Sequence, residues 1–191
     1  TVFGSYTAIA TSQNVESSAT FLADQTQVID IELGVNPPSH GDYTLIYNGT
    51  TLFVDATDGH NEFYWSADSP LDFNIDGLDF TANEGTEKIH FRGAEGNDSV
   101  SLIGSTDADI LNATDGSMVL TTPEMKIVTS NIESIDVELG SGSDNVYFNG
   151  TAGDDAVTVS ADVANFSGSG VTITASGFER VVARESAGLD S

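Results

Sequence analysis

The segment Ile135-Asp-Val-Glu-Leu139 decides the fold, because segments of the same pattern stand at equal distances on either side of it. Ile89-His-Phe-Arg-Gly93 lies 46 residues earlier, and Val181-Val-Ala-Arg-Glu185 lies 46 residues later. A further copy, Ile29-Asp-Ile-Glu-Leu33, precedes Ile89 by 60 residues. Chains that repeat one pattern at a fixed period build stacked supersecondary units, so this period predicts a repeat architecture.

The register of the repeat extends beyond these segments. Downstream of each copy, glycines and aspartates coincide at the same 46-residue step: Gly96, Gly142 and Gly188, then Asp98, Asp144 and Asp190. The copies alternate apolar with polar residues, as does Ala156-Val-Thr-Val159, and turn-forming residues bound them. This pattern is typical of short β-strands.

We therefore expect one all-β domain over residues 1–191, a parallel β-solenoid or β-helix with coils of about 46 residues. The coils start near residues 29, 89, 135 and 181, with insertions near 35–41 and 53–80. The general preference for right-handed crossovers favours a right-handed coil. A row of antiparallel blades or hairpins is the alternative.

One position of the repeat alternates in charge. Glu32, Arg92, Glu138 and Arg184 occupy it in the four copies. If residues one repeat apart lay directly over one another, at about 4.8 Å, like charges would be destabilising and alternating charges favourable. The alternation thus predicts an inter-coil charge ladder formed by these four side chains.

The composition limits the partners of the protein. The 191 residues include 30 acidic and only 5 basic side chains, a net charge of −25, and no cysteine. Such a charge repels nucleic acid and anionic membranes and attracts divalent cations. No apolar run approaches the ~20 residues of a membrane span, so we expect no membrane insertion. Without cysteine there are no disulfides and no thiol catalysis.

The two ends of the sequence fit one another. Joining Asp190-Ser191 to Thr1-Val-Phe-Gly-Ser5 restores the pattern that follows Asp98 and Asp144, one residue short. Two explanations fit: a subunit that stacks head to tail into a filament, or a segment of a longer tandem array. The residues predicted to form these self-assembly ends are Thr1, Val2, Phe3, Leu189, Asp190 and Ser191.

The glycine-rich turns are the candidate metal sites. Leu139-Gly-Ser-Gly142-Ser-Asp144-Asn-Val146 and Gly150-Thr-Ala-Gly153-Asp-Asp155-Ala-Val157 resemble the nonapeptide of calcium-binding repeat-in-toxin proteins. Glycines permit the tight turn, and aspartates supply hard oxygens for Ca²⁺. The candidate ligands are Asp98, Asp144, Asp154, Asp155 and Asp190. The alternative is that Asp98, Asp144 and Asp190 form Asx-turns with their own backbone.

A broader resemblance covers roughly residues 85–191. Gly-Asp-Asp, a polar strand, Gly-Phe-Glu-Arg and Ala-Gly-Leu-Asp-Ser together resemble repetitive extracellular β-solenoid surface proteins of marine bacteria, planctomycetes among them. The resemblance implies an architecture and a location outside the cell or at its surface. It implies no particular activity.

An aromatic insertion, which includes Tyr64 and Trp65, is a possible glycan-binding patch, since aromatic faces stack on sugars. The alternative is a hydrophobic plug that packs on the solenoid.

The leading hypothesis is a structural subunit or segment of an extracellular filament or adhesin. Its partners would be further copies or neighbouring repeats, and Ca²⁺ its only cofactor. A carbohydrate-binding module, with a polysaccharide partner, is the alternative. A polysaccharide lyase or hydrolase of the β-helix type is disfavoured, because no catalytic base or carboxylate pair stands out. We thus expect no enzymatic activity.

Overall fold

The computed structural model describes residues 5–12, 15–22, 43–114, 117–151, 153–168 and 170–184, and every regular element there is a β-strand. Strands β1 (Ser5–Ser12) and β2 (Val15–Leu22) form an antiparallel hairpin of their own. The other strands are β3 (Thr44–Asn48), β4 (Thr51–Asp55), β5 (Glu62–Ser66), β6 (Asp72–Ile75), β7 (Leu78–Thr81), β8 (Lys88–Arg92), β9 (Ser99–Ile103), β10 (Ile110–Thr114), β11 (Ser117–Thr121), β12 (Lys126–Ser130), β13 (Ser134–Glu138), β14 (Asn145–Asn149), β15 (Asp155–Val159), β16 (Val163–Gly168), β17 (Val171–Ser176) and β18 (Arg180–Arg184).

These sixteen strands form two sheets of eight. The first sheet has the order β18-β14-β10-β11-β12-β8-β4-β3, and the second has the order β15-β16-β17-β13-β9-β5-β6-β7. The chain passes repeatedly from one sheet to the other, and parallel strands stack along both. The predicted all-β solenoid is therefore confirmed.

Parallel neighbours are 35 to 38 residues apart. Thr51 on β4 pairs with Lys88 on β8, and Ser99 on β9 pairs with Ser134 on β13, steps of 37 and 35 residues. Lys88 pairs in turn with Lys126 on β12, a step of 38 residues. One coil is thus shorter than the 46-residue repeat of the sequence.

The 46-residue repeat is a unit of five strands rather than one coil. Its copies start at β8, β13 and β18, whose first residues are 88, 134 and 180. From β8 the chain crosses to β9, returns for the three neighbouring strands β10, β11 and β12, and crosses again to β13. Three crossings are an odd number, so each unit begins in the sheet opposite to the previous one.

Each unit contains an antiparallel meander, which lies alternately in the second, first and second sheet: β5-β6-β7, β10-β11-β12 and β15-β16-β17. The turn between β6 and β7 has φ of 52° at Asp76 and 80° at Gly77, as a two-residue hairpin turn requires. Antiparallel hairpins, which the sequence offered as the alternative to a solenoid, are therefore present in every unit as part of the solenoid.

The core lies between the two sheets. Alternate residues of each strand point inward, and buried aromatic rings bridge the sheets: Phe63 of β5 stacks on Phe91 of β8 with 4.9 Å between ring centroids. Phe148 and Phe166 repeat this contact at 5.6 Å. Burial of such side chains is the dominant stabilising term.

Candidate functional site

The predicted charge ladder is wrong in its geometry. Arg92 on β8 has Asp55 and Ser130 as its neighbours across the first sheet. Glu138 on β13 has Ile103 and Ser176 as its neighbours across the second. The two side chains lie on opposite sheets because the repeat crosses between sheets three times. Glu32 lies outside the described residues.

Arg92 instead pairs with the carboxylate of Asp55, one coil away. Its Nη2 donates to Asp55 Oδ2 at 2.6 Å, and its Nε donates to Oδ1. The guanidinium carbon also lies 4.7 Å from the centre of the Phe53 ring. A bidentate pair with an added cation–π contact fixes this arginine in place.

All five basic residues of the chain lie on the outer face of the first sheet. They are Lys88, Arg92, Lys126, Arg180 and Arg184. They point outward because their strand neighbours, such as Ile89, Phe91 and Ile127, are buried. Among the strand residues the structure describes, Asp55 is the single acid on this face, so five cations and one acid give a net charge of +4. We call this surface the cationic face.

A mostly apolar row runs along the middle of the cationic face, one residue from each of its eight strands. In sheet order the row is Val182, Tyr147, Asn112, Val119, Val128, His90, Phe53 and Ile46. Seven strand spacings make it roughly 34 Å long. The basic side chains flank it on both sides.

The outer face of the second sheet is acidic. Its described strand residues include five acids and no basic residue, a net charge of −5: Glu62, Asp72, Asp79, Asp136 and Glu138. Its other outward residues are mostly serine, threonine and asparagine, with Tyr64 the exposed ring, at 43%. We call this surface the acidic face.

The charge alternation seen in the sequence thus has a different cause. Lys88, His90 and Arg92 of β8 and the two arginines of β18 belong to units that begin in the first sheet, whereas Asp136 and Glu138 belong to a unit that begins in the second. Since successive units begin in opposite sheets, the charges that alternate along the sequence are separated in the structure, with the basic residues on one face and the acidic residues on the other.

The corners between the sheets carry a repeated hydrogen-bond arrangement. At one corner the Asn61 amide donates to Asp98 Oδ1 at 2.9 Å, and the Asp98 amide donates to Glu133 Oε2 at 2.7 Å. At the opposite corner the Asp109 amide donates to Asp144 Oδ1 at 2.8 Å, and the Asp144 amide donates to Glu179 Oε2 at 2.6 Å. Carboxylates here join one coil to the next.

Burial raises the pKa of Asp98, and it raises that of Asp144 as well. The donated amides oppose the shift at each residue, and a nearby carboxylate, Glu133 at one corner and Asp109 at the other, adds to it. Both aspartates are 1% exposed or less.

The glycines of these corners are explained by close packing. A Cβ on Gly96 would overlap the carbonyl oxygen of Gly59 in the neighbouring coil, and its φ of 148° is itself unfavourable for other residues. A Cβ on Gly93 would overlap the carbonyl oxygen of Asn131. The spacing that resembles a calcium nonapeptide is therefore also the spacing that lets two coils meet at a corner.

Two of the predicted calcium ligands, Asp98 and Asp144, lie at these corners and serve the backbone. Asp98 and Asp144 accept amides of the next coil, 35 to 37 residues away, rather than only forming local turns. Asp155 accepts from the Thr151 amide at 2.5 Å. In the described ranges no three histidine, aspartate or glutamate side chains are grouped to hold a metal ion. Asp190 lies outside those ranges, and calcium binding stays a prediction.

The two residues of the predicted glycan patch, Tyr64 and Trp65, point to opposite sides of their strand, so they do not form one surface. Trp65 is 0% exposed, and its Nε1 donates to the carbonyl of Pro70 at 3.0 Å. Phe63 and Phe73 are buried beside it, while Tyr64 points the other way, onto the acidic face. The aromatic insertion forms strands β4 to β7, which are part of the two sheets, and its buried rings belong to the core rather than to a plug that packs on the solenoid.

One edge of the second sheet ends on an apolar strand. Within the described residues β15 pairs only with β16. Its equivalents in the two preceding units, β5 and β10, each have a parallel partner, β9 and β14. Val159 pairs with the inward-facing Ala164 and is nevertheless 55% exposed. The predicted self-assembly ends lie outside the described residues.

Lys126 is the member of the cationic face that sequence reasoning missed. It does not fit the 46-residue comparison of β8, β13 and β18, because it lies on the third strand of a meander. It meets Lys88 through the 38-residue step between parallel strands. Recognising that the repeat crosses sheets an odd number of times would have placed both lysines on one face.

No protein-family model matches this chain, and neither the search of curated proteins nor that of solved structures finds a match. In the described part of the chain, no helix has the length and apolar character to cross a membrane.

Proposed function

We propose that this chain is a structural, non-catalytic subunit or segment of an extracellular surface filament, in which the solenoid continues end to end. The observation that supports the proposal most is the edge at β15. This strand has one neighbour within the described residues, where its equivalents β5 and β10 have two. A strand edge of this kind invites pairing with a further strand.

The chemistry of the missing neighbour follows from its equivalents. Strands β9 and β14 place apolar side chains at their second and fourth positions, Val100 and Leu102 or Val146 and Phe148. A strand of that pattern, added parallel to β15, would cover Val159 and continue the core. A neighbouring repeat or a second copy supplies such a strand.

The role of the protein is then mechanical. Each 46-residue unit contributes five strands to two sheets, about 12 Å of length at the usual strand spacing. A stack of such units is a stiff, acidic rod whose length scales with the number of units. A contact between unlike ends does not close on itself, and so it produces a fibre.

The test is electron microscopy and sedimentation of the purified chain over a range of concentrations. We expect rods longer than one molecule, and we expect Val159→Lys to shorten them, because an edge lysine opposes strand addition. Thr106→Lys, which adds the same charge to an exposed loop, is the control. Rods that are unchanged by Val159→Lys, or particles that stay monomeric at every concentration, would refute end-to-end stacking.

A further inference from the structure

We infer that the cationic face docks onto the acidic face of a second copy of this chain, so that solenoids associate side by side. The inference concerns the flanks of the solenoid. It does not depend on end-to-end stacking through β15.

Within the described residues, four of the five cations have no carboxylate partner. Of the five, Arg92 alone lies within 4.0 Å of a carboxylate in the described residues. Lys88 and Lys126 are direct partners across neighbouring parallel strands. Like charges in that position oppose one another. A protein with 30 acids thus keeps its unpaired cations together on a single face.

Arg180 and Arg184 extend the cationic face to the last strand of the sheet. Arg184 lies 5.2 Å from the centre of the Tyr147 ring and donates to Asn149 Oδ1 at 3.2 Å. Both contacts hold the guanidinium against the sheet, and in the described part of the chain no carboxylate lies within 4.0 Å of it. Arg184 is therefore held in place before any partner arrives, which reduces the entropic cost of binding at this end of the face.

The acidic face of a second copy matches this surface in charge and in dimensions. Five acids with no basic residue oppose five cations with one acid. Both sheets have eight strands at the same spacing, so charged rows on one copy can follow those on the other. Tyr64, exposed on the acidic face, offers an apolar group to the middle row.

The area indicates a weak, reversible contact. Eight strands of five residues cover roughly 34 Å by 17 Å, on the order of 600 Å² on each partner. The total of about 1,200 Å² stands at the lower limit of stable interfaces. Two molecules of charge −25 also repel at long range, and salt screens this repulsion over about 8 Å at physiological strength. We therefore expect association to peak at intermediate salt.

The two faces are different, so the contact is heterologous. A heterologous contact does not close after one step and gives rows of molecules. It also allows each face to be disabled separately, which an isologous contact does not.

The experiment uses two double variants, both in the Val159→Lys background that blocks end-to-end stacking. Lys88→Gln with Lys126→Gln disables the cationic face, and Asp136→Asn with Glu138→Gln disables the acidic face. All four side chains point outward from their sheets. Mass is followed by sedimentation at about 0.15 M salt.

The parent with both faces intact should exceed the monomer mass of 20.0 kDa in a concentration-dependent way. Each double variant alone should stay monomeric. An equimolar mixture should form a species of twice the monomer mass and nothing larger, because only one intact face of each kind remains. A parent that stays monomeric, a double variant that assembles like the parent, or a mixture that stays monomeric would overturn the inference.

Charge reversal shows whether a double variant stays monomeric because of its changed charge or because it is misfolded. Lys88→Glu with Lys126→Glu should stay monomeric alone and should pair with Asp136→Lys with Glu138→Lys, because the intact acidic face of the first variant then meets the intact cationic face of the second. An anionic polysaccharide is the competing occupant. Binding of polygalacturonate, but not of dextran, that is lost in Lys88→Gln with Lys126→Gln while the parent alone stays monomeric would assign the face to a polyanion and refute the inference.

Discussion

Asp98 and Asp144 make the same hydrogen bonds at opposite corners of the solenoid. Each accepts a backbone amide from the neighbouring coil, at 2.9 and 2.8 Å, and each donates its own amide to a glutamate, at 2.7 and 2.6 Å. The residues are 46 positions apart in the sequence. Because the repeat begins alternately in the two sheets, equivalent residues occupy opposite corners rather than one column.

Removal of either carboxylate should destabilise the fold by a similar amount. Asp98→Ala and Asp144→Ala each leave a buried amide, of Asn61 or Asp109, without its acceptor, which costs roughly 1–3 kcal/mol. Urea unfolding at pH 7 measures the change. Asp107→Ala, at an exposed position, is the control and should change stability by less than about 0.5 kcal/mol. Losses that differ widely between the two corners would contradict their equivalence.

The buried carboxyl of Asp144 predicts a particular pH dependence. Burial raises its pKa above the usual 3.8, so the folded protein holds this proton more tightly than the unfolded chain. Its contribution to stability is then fully present below about 3.8 and is lost as pH rises through the folded pKa.

Asp144→Asn keeps the Oδ1 acceptor without the charge. The unfolding free energy of the parent minus that of Asp144→Asn should therefore increase from pH 7 to pH 4. Urea unfolding of both proteins at the two pH values measures the difference. A decrease over this range would mean that the carboxyl pKa is lowered, against the burial argument.

The corner glycines should differ sharply from the turn glycines. Gly96→Ala forces a Cβ onto the carbonyl of Gly59, so it should cost more than about 3 kcal/mol or prevent folding. Gly85→Ala also has a positive φ, of 85° against 148° at Gly96, but an open space around its Cβ, and should cost only about 1 kcal/mol. Thermal unfolding of the two variants makes the comparison. Equal losses would show that backbone conformation alone matters and that the coils do not meet there.

The two described histidines should titrate on opposite sides of the usual value. His60 Nδ1 contacts the carbonyl of Asn97 and its Nε2 lies 3.2 Å from Glu62 Oε1, so both ring nitrogens face acceptors. The carbonyl contact, and then the Glu62 bond, raises the pKa of His60 above 6.5. Burial, with Arg92 and Lys88 nearby, lowers the pKa of His90 below 6.5.

Proton NMR of the imidazole rings across pH 5 to 8 measures both values, with His60→Gln and His90→Gln used for assignment. Stability gained through His60 is present below about 6.5 and is lost as pH rises through its folded pKa. His90 has the opposite sign, because burial favours its neutral form. If the two histidines titrate in the reverse order, the assigned contacts are incorrect.

The sequence predicted the fold class, several of the strands and the 46-residue period, because alternation in strands such as β13 and the recurrence of Asp98 as Asp144 are local patterns. It did not predict which residues stack. That depends on the number of crossings within one unit, and the meander strands, such as β11 and β16, had not been recognised as separate strands. One missed pair of hairpin turns per unit changes a coil of 46 residues into one of 35 to 38.

The same error explains the outcome for the candidate sites. Arg92 and Glu138 were correctly seen to alternate in charge, but an alternating column and two oppositely charged faces give the same sequence pattern. For Trp65 the sequence held enough information. Its strand alternates Glu62, Tyr64 and Ser66 with Phe63 and Trp65, and this alternation already predicts that the Tyr64 ring is exposed and the Trp65 ring buried.

The most direct test of the account is the distance between spin labels at paired cysteine substitutions, which the chain permits because it has no cysteine of its own. Labels at Lys88→Cys and Lys126→Cys lie on neighbouring parallel strands of one sheet. Labels at Lys88→Cys and Ser134→Cys lie at positions that are 46 residues apart in the sequence. We predict strong short-range dipolar broadening for the first pair and a separation of at least about 20 Å for the second, since packed sheets lie about 10 Å apart and the labels point outward. A short distance for the second pair and a long one for the first would contradict the account.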